Sequence, residues 1–162
     1  MKGIYLLLGS NLGDRKEILK MARSHIGLSI GDIIHCSSIY ATKAWGVEDQ
    51  PDFLNQVVEV ESEHTPEEIL LQVNSIEEKL GRVRKIKWQS RIIDIDILYY
   101  GSLILNTQDL VIPHAENQNR NFVLAPMVEI APDFVHPVFL RTQQQLLNTC
   151  TDGLEVKKLH IE

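Results

Sequence analysis

The chain has 162 residues, 44% of them hydrophobic and 23% charged, with a formal net charge of -6 and a pI near 5.5. These are the values of one globular domain spanning 1–162, long enough to bury about 70% of its unfolded surface. The acidic balance argues against a nucleic-acid partner and no apolar run is long enough for a membrane span, while the two cysteines, Cys36 and Cys150, suit a reducing compartment. Met1-Lys2-Gly3 leads straight into a strand-like run with no signal-peptide pattern, so a cytoplasmic protein is expected.

Ile4-Tyr5-Leu6-Leu7-Leu8 is a continuous apolar run, the pattern of a central strand buried on both faces. Gly9 to Arg15 predicts a turn feeding a helix, in which Ile18, Ala22 and Ile26 recur at helical spacing and Gly27 ends the pattern. That turn lacks both a P-loop Gly-Lys-Ser/Thr and a full dinucleotide fingerprint, so it is read as structural. Residues 30–40 predict a second strand, with Cys36 as a small core residue. The loop from Ala41 to Asp52 is long and aperiodic, as functional loops often are. Phe53 to Glu61 returns as a strand on which Phe53 and Asn55 share a face. An aromatic ring and an amide so placed suit a flat polar heterocycle; the plainer alternative is ordinary core and edge packing.

Thr65-Pro66-Glu67-Glu68 starts a helix, with Thr at the N-cap, Pro at the first position and a Glu that completes a capping box. Ile69, Val73, Ile76 and Leu80 follow at helical spacing, and Gly81 stands where a terminating glycine belongs. From Lys79 to Arg91 there are six basic residues (Lys79, Arg82, Arg84, Lys85, Lys87, Arg91) and no acidic one. Trp88, set among these charges, is read as a lid residue rather than core.

From Ile92 the sequence reads as a strand, with Gly101-Ser102 as a hairpin turn into Leu103-Ile104-Leu105. Alternation puts Asp94 and Asp96 on one face and Ile93, Ile95 and Ile97 on the other. Two carboxylates about 6.8 Å apart along a strand repel by about 2.4 kcal/mol at an effective dielectric of about 20. The basic loop, a divalent cation, or both must compensate, unless the pair simply faces solvent. Oxygen-only ligands favour Mg²⁺ or Mn²⁺. Carboxylates, a metal and converging Arg and Lys are the usual equipment for polyphosphate chemistry.

Leu110 to Ala115 follows, then a helical stretch from Phe122 that Pro126 and Pro132 should break into short pieces. His114, with Arg120 and Phe122 nearby, suits a phosphate contact or an ordinary surface position. Gln143 to Asn148 predicts a short helix and Leu154 to Ile161 a closing strand. The order β-α-β-β-α-β, with an appended hairpin, helices and C-terminal strand, predicts an α+β ferredoxin-like sandwich.

These parts together resemble the 6-hydroxymethyl-7,8-dihydropterin pyrophosphokinase family, from Tyr5 to about Pro137. The resemblance rests on Leu8-Gly9-Ser10-Asn11-Leu12-Gly13, Asp49-Gln50-Pro51-Asp52-Phe53-Leu54-Asn55, Gly81-Arg82-Val83-Arg84, Trp88 with Arg91, Asp94-Ile95-Asp96-Ile97, Val111-Ile112-Pro113-His114, and Asn119-Arg120 with Phe122. It implies a monomeric, Mg-dependent ATP diphosphotransferase of folate biosynthesis. The acceptor hydroxyl of 6-hydroxymethyl-7,8-dihydropterin attacks the β-phosphorus of ATP, and AMP leaves.

By the same resemblance, Asp94 and Asp96 hold two Mg²⁺ ions, and Arg82 and Arg91 act with them in catalysis. Glu77, Arg82, Arg84, Trp88, Arg91, Ile97, His114 and Arg120 contact ATP, with Arg120 between the substrates. Thr42, Trp45, Phe53, Asn55 and Phe122 form the pterin site. Lys43-Ala44 departs from the prolines common there, as do Ala115 and Asp109 from an aromatic and a basic residue near the nucleotide. Read without the resemblance, the same residues also suit a metal-dependent phosphohydrolase or a non-catalytic ferredoxin-like ligand-binding module.

Overall fold

The computed structural model describes residues 3–43, 52–81 and 92–159. The basic loop with Arg82, Arg84, Lys85, Lys87, Trp88 and Arg91 lies outside the described residues, as does Trp45.

The apolar run forms β1 (Ile4–Ser10), buried along its whole length because it is central: β5 (Asp94–Tyr100) pairs with one edge and β4 (Phe53–Glu61) with the other, both antiparallel. Beyond β4 lie β2 (Asp32–Cys36) and β3 (Tyr40–Thr42), which pair with successive parts of it, and β8 (Val156–Lys158) closes the edge on β3. The order β5-β1-β4-β2/β3, with α1 (Arg15–Ser29) after β1 and α2 (Pro66–Lys79) after β4, is the ferredoxin-like α+β arrangement.

The two sheet faces follow from strand alternation. Ile4, Leu6, Leu8, Ile95 and Ile97 pack with Leu19, Ala22 and Ile26 of α1 and Ile69, Val73 and Ile76 of α2. The capping box at Thr65 is formed as expected, and Gly81 takes a positive φ of 95° just past the end of α2. The opposite face carries Tyr5, Leu7, Val57 and Tyr99, covered by Val123 and Met127 of α3 (Asn121–Ile130). A register shift opposite Tyr5/Leu6 inserts Leu98 and so keeps Tyr99 on this second face. Gln143, first residue of α4 (Gln143–Thr149), donates to the Tyr99 hydroxyl at 3.1 Å. Burial pushes that phenol up to about 12.

Several expectations are corrected. β1 runs through Gly9 and Ser10, so the turn begins later than expected. Gly27 lies inside α1; the glycine the chain needs is Gly31, where a Cβ would fall 2.0 Å from the Glu61 carbonyl oxygen. The second strand is split into β2 and β3, and Cys36 is exposed because β2 is an edge strand. Leu103–Leu105 does not fold back on β5. β6 (Leu105–Asn106) pairs instead with β7 (Val111–Ile112), and the β5 edge at the Leu98 carbonyl is taken by the His114 N–H at 3.0 Å and Asn117 Nδ2 at 2.8 Å. α3 continues through Pro126, because Val123, Leu124, Pro126 and Met127 are all buried and that packing outweighs the lost helical bond.

α3 is also pinned to the far side of the sheet. The Glu129 carboxylate accepts from the Ser38 N–H and hydroxyl and the Tyr40 hydroxyl at 2.7–2.9 Å, with Lys158 Nζ at 3.4 Å. Burial alone would raise this carboxyl, but those donors and the lysine hold it below the usual range.

Candidate active site

The second face is apolar at the Tyr5, Tyr99 and Val57 end, where α3 covers it, and polar at the other end, where α3 begins. Strand register explains the polar end. Gly9 pairs with Asp94 on one side and Asn55 on the other, while Leu7 pairs with Asp96 and Val57. Asp94, Gly9 and Asn55 therefore form one row across three strands, with Asp96 and Leu7 in the next.

Above those rows is a cavity of about 530 Å³. Its floor is Leu7 and Gly9. Asp94 and Asp96 form the β5 wall, and Thr42, Lys43, Phe53 and Asn55 the opposite one. Glu116, Asn119 and Arg120 enter from the segment leading into α3, Phe122 from its first turn, and Asp152 and Leu154 from the tail before β8.

Gly9 gives the amide room: a Cβ there would come within 3.2 Å of Asn55 Oδ1, tighter than an ordinary contact. Asn55 is 4% exposed, and its Nδ2 donates to Thr42 Oγ1 at 3.0 Å. Asn55 lines the cavity with a donor and an acceptor suited to the edge of a polar ring. The entry to β4 is held by Arg15 Nη1, which donates to the Asp52 carbonyl at 2.5 Å and so fixes the approach to Phe53. On β1, the Ser10 hydroxyl donates to the Ile92 carbonyl at 2.5 Å and sets the start of β5 two residues before Asp94. The Arg120 guanidinium lies 5.6 Å from the centre of the Phe122 ring, so cation and aromatic reach the cavity as a stacked pair.

Of the site residues expected from sequence, Thr42, Phe53, Asn55, Asp94, Asp96, Arg120 and Phe122 meet in this one cavity. Three others lie off it. Glu77 is 3% exposed, and its Oε2 accepts from the Ile95 N–H at 3.0 Å on the outer edge of β5. Ile97 has its side chain in the core, while its backbone groups, two residues on from Ile95, share that outward direction. His114 sits by the same edge; its Nδ1 accepts from the Glu116 N–H at 3.3 Å, which leaves Nε2 to carry the hydrogen.

Sequence reasoning missed Leu7, Lys43, Glu116, Asp152 and Leu154 as lining residues and read Gly9 only as part of a turn. Leu7 and Gly9 were detectable from the period-two register with Asp94 and Asp96. Asp152 carried no such signal, because its partner Asn121 is 31 residues away.

Among the described residues no three His, Cys, Asp or Glu groups cluster as a metal cage. Two carboxylates on one strand face still fit Mg²⁺, which is commonly held by one or two carboxylates plus substrate phosphates and water.

Fold and cavity together define a ferredoxin-like α+β enzyme domain with a cavity that has carboxylates on one wall and rings with an amide on the other. The chain belongs to the 7,8-dihydro-6-hydroxymethylpterin-pyrophosphokinase (HPPK) family, whose model matches residues 5–132. It is a pyrophosphokinase of folate biosynthesis that acts on hydroxymethyldihydropterin.

The 2-amino-4-hydroxy-6-hydroxymethyldihydropteridine pyrophosphokinase of Aquifex aeolicus is 38% identical over 139 residues, 86% of either chain. The enzyme of the same name from Methylorubrum extorquens is 43% identical over 136 residues, 83% of this chain and 86% of that one. The folic acid synthesis protein fol1 of Pneumocystis carinii is 39% identical over 137 residues, 85% of this chain and 18% of that one. The crystal structure of Plasmodium falciparum HPPK-DHPS has the same fold, with a TM-score of 0.73 at 17% identity. The match covers 91% of this chain and 44% of that one.

Proposed function

We propose that the cavity holds the triphosphate of ATP beside 6-hydroxymethyl-7,8-dihydropterin, with the nucleotide base reaching the outer edge of β5, and that pyrophosphate passes from the first to the second, releasing AMP. The observation that carries this reading is the division of one cavity, with Asp94 and Asp96 on one wall, Thr42, Phe53 and Asn55 on the other, and Arg120 and Phe122 entering from α3. Phe53 and Phe122 suit the faces of a flat bicycle and Asn55 its polar edge. Ile97, with its backbone toward the outer edge of β5, suits the nucleotide base, and Glu77 and His114 border that edge.

Asp94 and Asp96 would hold two Mg²⁺ ions, which when bound neutralise triphosphate charge and polarise the phosphorus under attack. The remaining tasks are positioning and charge neutralisation, since phosphoryl chemistry needs little covalent help from the protein. Arg120, stacked on Phe122, puts a fixed cation where charge moves between the two substrates. Arg82, Arg84, Trp88 and Arg91, with Trp45 on the acceptor side, are assigned to the same site by family motif. A phosphohydrolase would have no use for the ring-and-amide wall. The protein is proposed to work as a cytoplasmic monomer.

Equilibrium titration tests the reading. An ATP analogue that cannot transfer its pyrophosphate should bind with Mg²⁺ present and lose most of its affinity when the metal is chelated. The pterin should then bind to that loaded complex. Analogue affinity indifferent to chelation, or mutually exclusive binding of the two ligands, would contradict it.

A further inference from the structure

We propose that Asp152, in the tail before β8, is a positioning residue for the acceptor end of the cavity, acting through the first turn of α3; this rests on the pyrophosphokinase reading above. The first turn of that helix has no cap from its own N-cap residue, Arg120, whose side chain makes no capping bond. Its first N–H, that of Asn121, is taken instead by Asp152 Oδ2 at 3.0 Å, from 31 residues downstream. Asn121 Nδ2 in turn donates to the Asp152 carbonyl at 3.0 Å, which makes the contact reciprocal. The other carboxylate oxygen, Oδ1, accepts from the Leu154 N–H at 3.0 Å, so the group is fixed on both sides.

What makes this more than a distant helix cap is where Asn121 stands. It lies between Arg120 and Phe122, and both of these, together with Asp152 and Leu154, line the cavity. A negative carboxylate also complements the positive end of the α3 dipole. The far end of α3 is held separately, by the Glu129 contacts to Ser38 and Tyr40. The helix is therefore anchored at both ends, and Asp152 controls the end that presents the guanidinium and the ring. Asp152 lies beyond residues 5–132, the part of the chain that the family model matches.

The test is a steady-state and binding comparison of wild type, Asp152→Ala, Asp152→Asn, Phe122→Ala and the Asp152→Ala/Phe122→Ala pair, with exposed Glu155→Ala as control. Without its anchor the first turn of α3 no longer holds Phe122 in place, so Asp152→Ala should raise the pterin KM about five- to thirtyfold, the equivalent of about 1–2 kcal/mol of binding. The ATP KM should rise by a smaller factor, through Arg120 alone, and Glu155→Ala should leave both unchanged. A merely destabilising change would lower the active fraction, and with it kcat, while leaving both KM values in place.

In the double variant the loss should be smaller than the product of the single losses, because the ring that Asp152 places is already gone. Asp152→Asn keeps one acceptor oxygen and should give the same split, smaller in size, should the alanine variant not fold. Equal changes in both KM values, no change in the pterin KM, or independent effects in the double variant would overturn the proposal. Pterin affinity by direct titration reads the same ratio without turnover. A wild type that binds pterin but makes another product would thus count against the reaction assignment and leave this test standing.

Discussion

Replacing Asp94 or Asp96 by asparagine is expected to lower turnover by at least about a hundredfold, the scale of losing an electrostatic stabiliser in a closed site. Asparagine keeps the shape and one acceptor oxygen but removes the charge that a divalent cation requires. Both residues reach the cavity through register with β1, opposite Gly9 and Leu7, while the neighbouring Ile95 and Ile97 stay in the opposite core. The substitutions should therefore leave the urea midpoint nearly unchanged, and the loss should persist at saturating Mg²⁺. Turnover near wild type in either variant would return the pair to an ordinary half-exposed strand.

The second large effect belongs to the other wall. Asn55→Ala should weaken pterin binding about five- to 150-fold, the equivalent of about 1–3 kcal/mol for a ligand edge left unpaired in a buried site. The affinity for an ATP analogue should change less than about twofold. Asn55 is suited to this because Thr42 Oγ1 fixes its amide and Gly9 leaves room beside Oδ1. Titration of both ligands against one variant separates the outcomes. Comparable losses for the two would mean that the wall had collapsed, not that a contact had been removed.

The residues of this site differ in how far local patterning exposes them. Asp94 and Asp96 are legible because strand alternation has a period of two, so two aspartates separated by one isoleucine must share a face. The α2 boundaries are legible for the same local reason, with a capping box at Thr65 and a positive-φ glycine at Gly81. The hairpin after Tyr100 is not, since what displaces it is non-local: His114 and Asn117 occupy the β5 edge at Leu98. Pro126 misleads because intrinsic propensity says nothing of the burial that keeps α3 intact. Cys36 misleads because a short apolar context does not distinguish an edge strand from a central one. Asp152 is invisible to any window of helical or strand length, and only the fold brings it to Asn121.

The product mixture tests the central claim most directly. Protein, Mg²⁺, ATP and 6-hydroxymethyl-7,8-dihydropterin are incubated together and the nucleotides are separated. Attack at the β-phosphorus predicts AMP in a one-to-one ratio with pterin diphosphate, and none when the pterin is left out. ADP as the main nucleotide product, or AMP formed without pterin, would contradict the account.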